Sequence, residues 1–206
     1  MTYPLIKETI TAGTLPDTAD ISNIFCCVVG FSRSRPDLKD MPYELKADRA
    51  VVYYESAETG EGGKIRLITN CCLKKMGISS DKLKEAAWDN TLKRKRAVMK
   101  ALPDMTGSET PVPLYVLSNE EMYLGAVAIF YPMLLEMIAE ELDEDICILP
   151  SSIHECLIMP VNDETDFAEL RRIVKKVNDT EVSETEILSY NIYRFSRVRG
   201  VMSIDN

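Results

Sequence analysis

Histidine is almost absent from this chain: among 206 residues there is one, His154. A metal-binding H-E-x-x-H helix is therefore excluded, and the six cysteines do not replace it with a C-x2-C spacing. They stand as two adjacent pairs, Cys26 with Cys27 and Cys71 with Cys72, and as the single residues Cys147 and Cys156. No serine lies in a G-x-S-x-G elbow. The one glycine-rich stretch, ETGEGG at 58–63, lacks the Lys-Ser/Thr that completes a phosphate-binding loop. Long apolar runs are missing as well. The longest nearly apolar stretch, Tyr123–Leu135, falls short of the roughly 20 residues needed to cross a bilayer. The opening MTYPLIKETI has no charged region followed by an apolar one, so no secretory signal is expected. The expectation is a cytoplasmic protein whose cysteines are reduced thiols, with no membrane contact, no metal and no cofactor.

What is present describes a globular protein. The chain is 46% hydrophobic and 28% charged, within the range of folded domains, and it is long enough to bury a core without disulfides. Its net charge of −9 disfavours nonspecific attachment to nucleic acid or anionic lipid and suits an acidic face that meets a basic partner.

Residues 1–48 hold four prolines and one apolar stretch, IFCCVVGF at 24–31, and read as an arm with one strand. AVVYYESA (50–57) and KIRLITN (64–70) alternate as a β-hairpin. SSDKLKEAAWDNTLKRKRAVMKAL (79–102) reads as a helix with imperfect apolar spacing around Asp89–Thr91, and DMTGSETPVP (104–113) as a loop. PLYVLSN (113–119) is a strand, and 123–142 is helical with a kink or restart at Pro132. DICILP and ECLIMP are short strands, FAELRRIVKKVN (167–178) is an amphipathic helix, and NIYRFSRV (191–198) is a strand. The order β-α-β-β-α-β predicts an α+β fold, a mostly antiparallel sheet with helices packed on it. The domain expected is 49–206, with sub-parts 49–103 and 112–198.

Several of these runs, taken in order, are familiar. AVVYYES, IRLITN, MGISSDKLKEAAWDN, PLYVLSN, YLGAVAIFYPMLLEMIAEEL, LPSSIHECLIMP and VNDTEVSETEILSYNIYRF resemble a family of uncharacterised proteins from gut Firmicutes (Clostridia, Lachnospiraceae) over about residues 49–196. Residues 1–48 fall outside that resemblance. It implies an accessory gene linked to mobile elements, and it supplies no catalytic residues.

The candidate sites are few. SSIHEC places Ser151, Ser152, His154, Glu155 and Cys156 in a turn between two strands. Centred on Ser151 and Ser152, that turn sets Leu149 opposite His154 and Cys147 opposite Cys156, so that His154, Cys147 and Cys156 share a face. A Ser–His pair is then the core of a hydrolase or thiol enzyme, or else the serines satisfy backbone groups in a structural turn. The run 93–100 collects Lys93, Arg94, Lys95, Arg96 and Lys100, a nucleic-acid patch or the cationic end of a helix. EELDED contributes Glu140, Glu141, Asp143, Glu144 and Asp145, anions at a helix C-terminus where the dipole disfavours them, and therefore a candidate contact surface. Tyr53, Tyr54, Tyr190, Tyr193 and Phe195 read as strand packing. The leading expectation is a non-catalytic protein that binds a protein partner, in its specific version an inhibitor of a host nuclease or defence complex. The enzyme on SSIHEC and the nucleic-acid binder through 93–100 are its rivals.

Overall fold

The computed structural model describes residues 20–31, 36–57, 64–107 and 112–205. Residues 1–19 of the expected arm and the hairpin loop 58–63 lie outside them. The fold is α+β, built on two antiparallel sheets in two compact units, residues 1–96 and 97–206.

In the first unit β1 (Ile24–Gly30), β2 (Tyr43–Lys46), β3 (Arg49–Ala57) and β4 (Lys64–Leu67) form the sheet, followed by α1 (Asn70–Met76) and α2 (Ser80–Arg94). The β3–β4 hairpin is the one read from alternation, with Tyr54 opposite Leu67. The apolar run assigned to an arm is instead integral to the sheet. β1 pairs with β3 from Ile24–Glu55 to Gly30–Arg49, and Ile24 to Val28 are buried. Thr69 caps α1, Ser79 caps α2 through the Lys82 N–H, and Gly77 at φ +65° ends α1 in the left-handed region that glycine enters without strain.

Helix α2 runs unbroken through Asp89–Thr91. The residues that spoil its apolar spacing bind the outer edge of β1. Thr91 is fully buried; its Oγ1 donates to Ala87 O and accepts from Cys26 N–H at 2.8 Å. Asn90 Nδ2 donates to both Ile21 O and Ile24 O. The helix then stops at Arg94, eight residues before the predicted end. Beyond it Ala97–Ala101 is a strand, because a partner is available for it: Val98 lies opposite Ser118 and Lys100 opposite Val116.

The second unit holds β5 (Ala97–Ala101), α3 (Leu102–Thr106), β6 (Tyr115–Asn119), α4 (Leu134–Leu142), β7 (Asp145–Pro150), β8 (Cys156–Val161), α5 (Phe167–Thr180), β9 (Ile192–Ser196) and β10 (Val201–Asp205). The expected β-α-β-β-α-β run is β6 to β9, and α3 occupies the start of the segment read as a loop. The restart at Pro132 is real: a 3-10 helix, Gly125–Phe130, precedes it and α4 follows. The sheet order is β10-β9-β7-β8-β6-β5.

β7 sits inside that sheet with Ile146, Cys147 and Ile148 at 0% exposure, so both of its faces are covered. On one, Cys147 and Leu149 join Met159, Val161, Ile192 and Val174 of α5. That helix has the amphipathic spacing predicted for it, starting at the Asp166 cap.

The Thr91 bond makes a direct prediction. Thr91→Val keeps the shape but strands the buried Cys26 N–H, and should lower stability by about 1–3 kcal/mol in urea unfolding. Thr91→Ser should lose much less.

Candidate functional site

The turn between β7 and β8 is tied down through every polar atom of its histidine. The Ser152 Oγ accepts from the His154 N–H at 3.0 Å, a local serine turn. The His154 carbonyl accepts twice, from Ser118 Oγ at 2.7 Å and from Gly125 N–H at 3.0 Å. The imidazole Nδ1 accepts from the Leu124 N–H at 3.1 Å. A backbone N–H only donates, so Nδ1 carries a lone pair and the ring proton sits on Nε2. Nε2 faces Glu186 Oε1 at 3.5 Å, and the ring stacks on Tyr123 with centroids 5.0 Å apart.

This arrangement requires a particular loop. Asn119 organises residues 120–123, its Oδ1 accepting from Glu121 and Tyr123 N–H and its Nδ2 donating to Tyr123 O. Met122 and Leu124 take positive φ values of 53° and 52°, which turn the Leu124 N–H toward the imidazole. Gly125 then passes against β6 so closely that a Cβ there would overlap Ser118 Oγ and Asn119 N and lie 2.9 Å from His154 O. No other residue type fits. Gly125, Ser118 and Asn119 are the site residues that sequence reading missed; the signal available was a glycine in an otherwise helical run.

The register differs from the expected one. Pro150 lies opposite Cys156, Leu149 opposite Leu157 and Cys147 opposite Met159, a shift of three residues. An odd shift reverses one strand's faces, so Cys147 and Cys156 lie on opposite sides of the sheet and the trio His154, Cys147, Cys156 is not assembled. Among the described residues no cluster of three or more His, Cys, Asp or Glu could hold a metal. With Nδ1 accepting from a backbone amide and Nε2–H directed at a carboxylate, the imidazole has no lone pair left for a serine proton. Ser152 Oγ accepts a hydrogen bond within the turn itself, from the His154 N–H and not from the imidazole.

The thiols divide sharply. Burial pushes Cys27 and Cys147 up to about 12 and Cys26 higher still, while Cys156 is fully buried. Cys71 is exposed and Cys72 half-buried.

Around the turn, His154, Glu155, Glu181 and Glu186 line a hollow of about 400 Å³ with Met122 and Val177 among its apolar walls. A second hollow of about 530 Å³ is edged by Glu144, Glu164, Asp166 and Glu169 over Met159 and Leu170. Of EELDED, Asp143 pairs with Arg197, and Asp145 accepts Arg194 Nε and Nη2 at 3.1 and 2.9 Å. Glu140, Glu141 and Glu144 remain exposed. The basic run is split between the units. Lys93 pairs with Asp89, Arg94 and Lys95 lie over the Phe25 ring at 4.9 and 4.8 Å, Arg96 is exposed, and Lys100 lies on β5. Tyr53, Tyr54, Tyr193 and Phe195 are buried, whereas Tyr190 is 48% exposed and donates to Asp179.

A family model matches residues 14–197, nearly the whole chain. The protein belongs to DUF5688, a family of unknown function. The match begins well before residue 49, which agrees with β1 being a sheet strand and extends the family into the segment read as an arm. No curated protein and no solved structure matches this DUF5688 chain. No helix among its described residues is long and apolar enough to cross a membrane.

Two outcomes follow from the site. Gly125→Ala should cost at least about 2 kcal/mol in chemical denaturation, since it overpacks the contact and breaks its hydrogen bonds. In native protein near pH 8 a thiol reagent should modify Cys71 and Cys72 alone, because burial raises the pKa of Cys26, Cys27 and Cys147 far above that pH and leaves Cys156 out of reach of the reagent; all six should react in denaturant.

Proposed function

We propose that this protein acts without catalysis, by offering the acidic surface of residues 97–206 to a basic face of a macromolecular partner. The observation that carries this reading is the division of charge. Residues 97–206 contain 20 acidic and 8 basic side chains, a net of −12, whereas residues 1–96 contain 13 acidic and 16 basic. Five of the eight cations are already matched within the unit, Arg171 with Asp205, Arg172 with Glu169, Lys175 with Asp179, Arg194 with Asp145 and Arg197 with Asp143. Glu136, Glu140, Glu141, Glu144 and Glu181 are exposed, and the potential they make steers a cationic surface toward them.

In its specific form the partner is a nuclease or defence complex of a Firmicutes host, inhibited in the cytoplasm by a protein carried on a mobile element. Support for the cytoplasm comes from six cysteines that form no disulfide among the described residues. Support for the partner class is the acidity, because nucleases meet nucleic acid through basic surfaces that an acidic protein can cover. Nucleic acid itself is the less favoured partner, since Arg94 and Lys95 are engaged with Phe25.

The test is capture of partners from host lysate with wild type, with a Glu140→Lys/Glu141→Lys/Glu144→Lys variant and with His154→Ala. A stoichiometric basic partner retained by wild type and His154→Ala, weakened tenfold or more by the charge reversal and by raised salt, is the expected result. Equal retention by the charge-reversed protein removes the acidic surface from the mechanism. Host nuclease activity unchanged by saturating protein removes the inhibitor version.

A further inference from the structure

An edge strand leaves a row of backbone N–H and C=O groups facing outward, and folded proteins cover or charge such edges. Both devices occur in this chain. β1 has its outward groups taken by α2, through Thr91 on the Cys26 N–H and Asn90 on Ile24 O. β2 carries Glu44 and Lys46, β4 carries Arg66, and β5 carries Lys100. β10, at the end of the six-stranded sheet, has a single charge, Asp205, and that carboxylate is already paired with Arg171 of α5. Its sequence is VMSID, with no lysine, arginine or proline, and in the described structure it pairs with β9 alone. Val201 is 51% exposed, and Val198, in the turn before it, is 89% exposed.

The strand is also complementary to itself. Paired antiparallel with a second β10 about a two-fold axis at Ser203, it sets Met202 opposite Ile204 of the other copy. These two residues share the sheet face of Phe195 and Tyr193, so the apolar rows of the two sheets become continuous. The two-fold axis repeats each of these contacts, so one register satisfies both copies. From this sparsely charged edge, which pairs with β9 alone, and from the self-complementary register, we propose that the protein forms a homodimer through β10, joining two six-stranded sheets into one.

Sedimentation of the full chain at physiological salt tests this, because there the repulsion between two acidic units is screened beyond roughly 8 Å. The expected result is a concentration-dependent rise from the 23.2 kDa chain toward twice that mass. Ser203→Lys places like charges directly opposite each other at the axis and should weaken association about tenfold or more. Ser203→Cys, in a Cys71→Ser/Cys72→Ser background, should form a disulfide-linked dimer on mild oxidation, since directly opposed residues lie about 4.5–5.5 Å apart. Val201→Cys should not, because the two copies of that position lie roughly 13 Å apart along the strands. A monomer at every concentration overturns the proposal. So does a dimer that Ser203→Lys leaves intact, or one that crosslinks through position 201 rather than 203.

Discussion

The contact on which residues 97–206 are organised is the approach of Gly125 to β6 and to the His154 carbonyl. Three chain segments meet there with no room for a side chain, and each contributes a polar group that another satisfies: Ser118 and Asn119 from the end of β6, Leu124 and Gly125 from the loop, His154 from the β7–β8 turn. Buried polar groups that leave water need such partners. Once they are joined, the 3-10 helix must begin at Gly125, and the strands on either side of the turn are held at their ends. A lone histidine in a serine-rich turn suggests chemistry when it is read as a word. In three dimensions its carbonyl, amide and Nδ1 are all part of a clamp.

The surface follows a different logic. Acidic side chains accumulate on residues 97–206, and much of their cationic complement is spent locally, along α5, on β9 and in the β9–β10 turn. The same turn carries Arg197, which holds Asp143 at the left-handed end of α4, and its backbone N–H donates to Asp145. EELDED therefore has two roles at once: its aspartates fasten the helix end to the turn, and its glutamates face solvent. The first role accounts for anions at a helix C-terminus that the dipole alone would disfavour.

Legibility in the sequence varied with the range of the interactions involved. The β3–β4 hairpin, the α5 helix and the restart at Pro132 are local patterns, and each was read correctly from alternation, amphipathic spacing or a missing N–H. The stretch 97–101 was read as helix because Ala, Met and Lys favour helix and no breaker precedes Pro103, and nothing nearby signals that β6 stands ready to pair with it. The irregularity at Asp89–Thr91 was visible, but its meaning was not: two polar residues there serve the edge of β1, more than sixty residues away in sequence.

By itself the sequence determined the class of fold, the positions of most strands, the division of charge and the absence of sequence-local metal or phosphate motifs, because all of these are carried by composition and short-range periodicity. Tertiary structure alone decided the register of β7 on β8. Both faces of β7 are apolar, so alternation does not distinguish one register from its neighbour, and the choice falls to the clamp at His154 and to packing against α5. The same clamp decided which ring nitrogen of His154 carries the proton, because that depends on a donor thirty residues away meeting it at hydrogen-bonding distance.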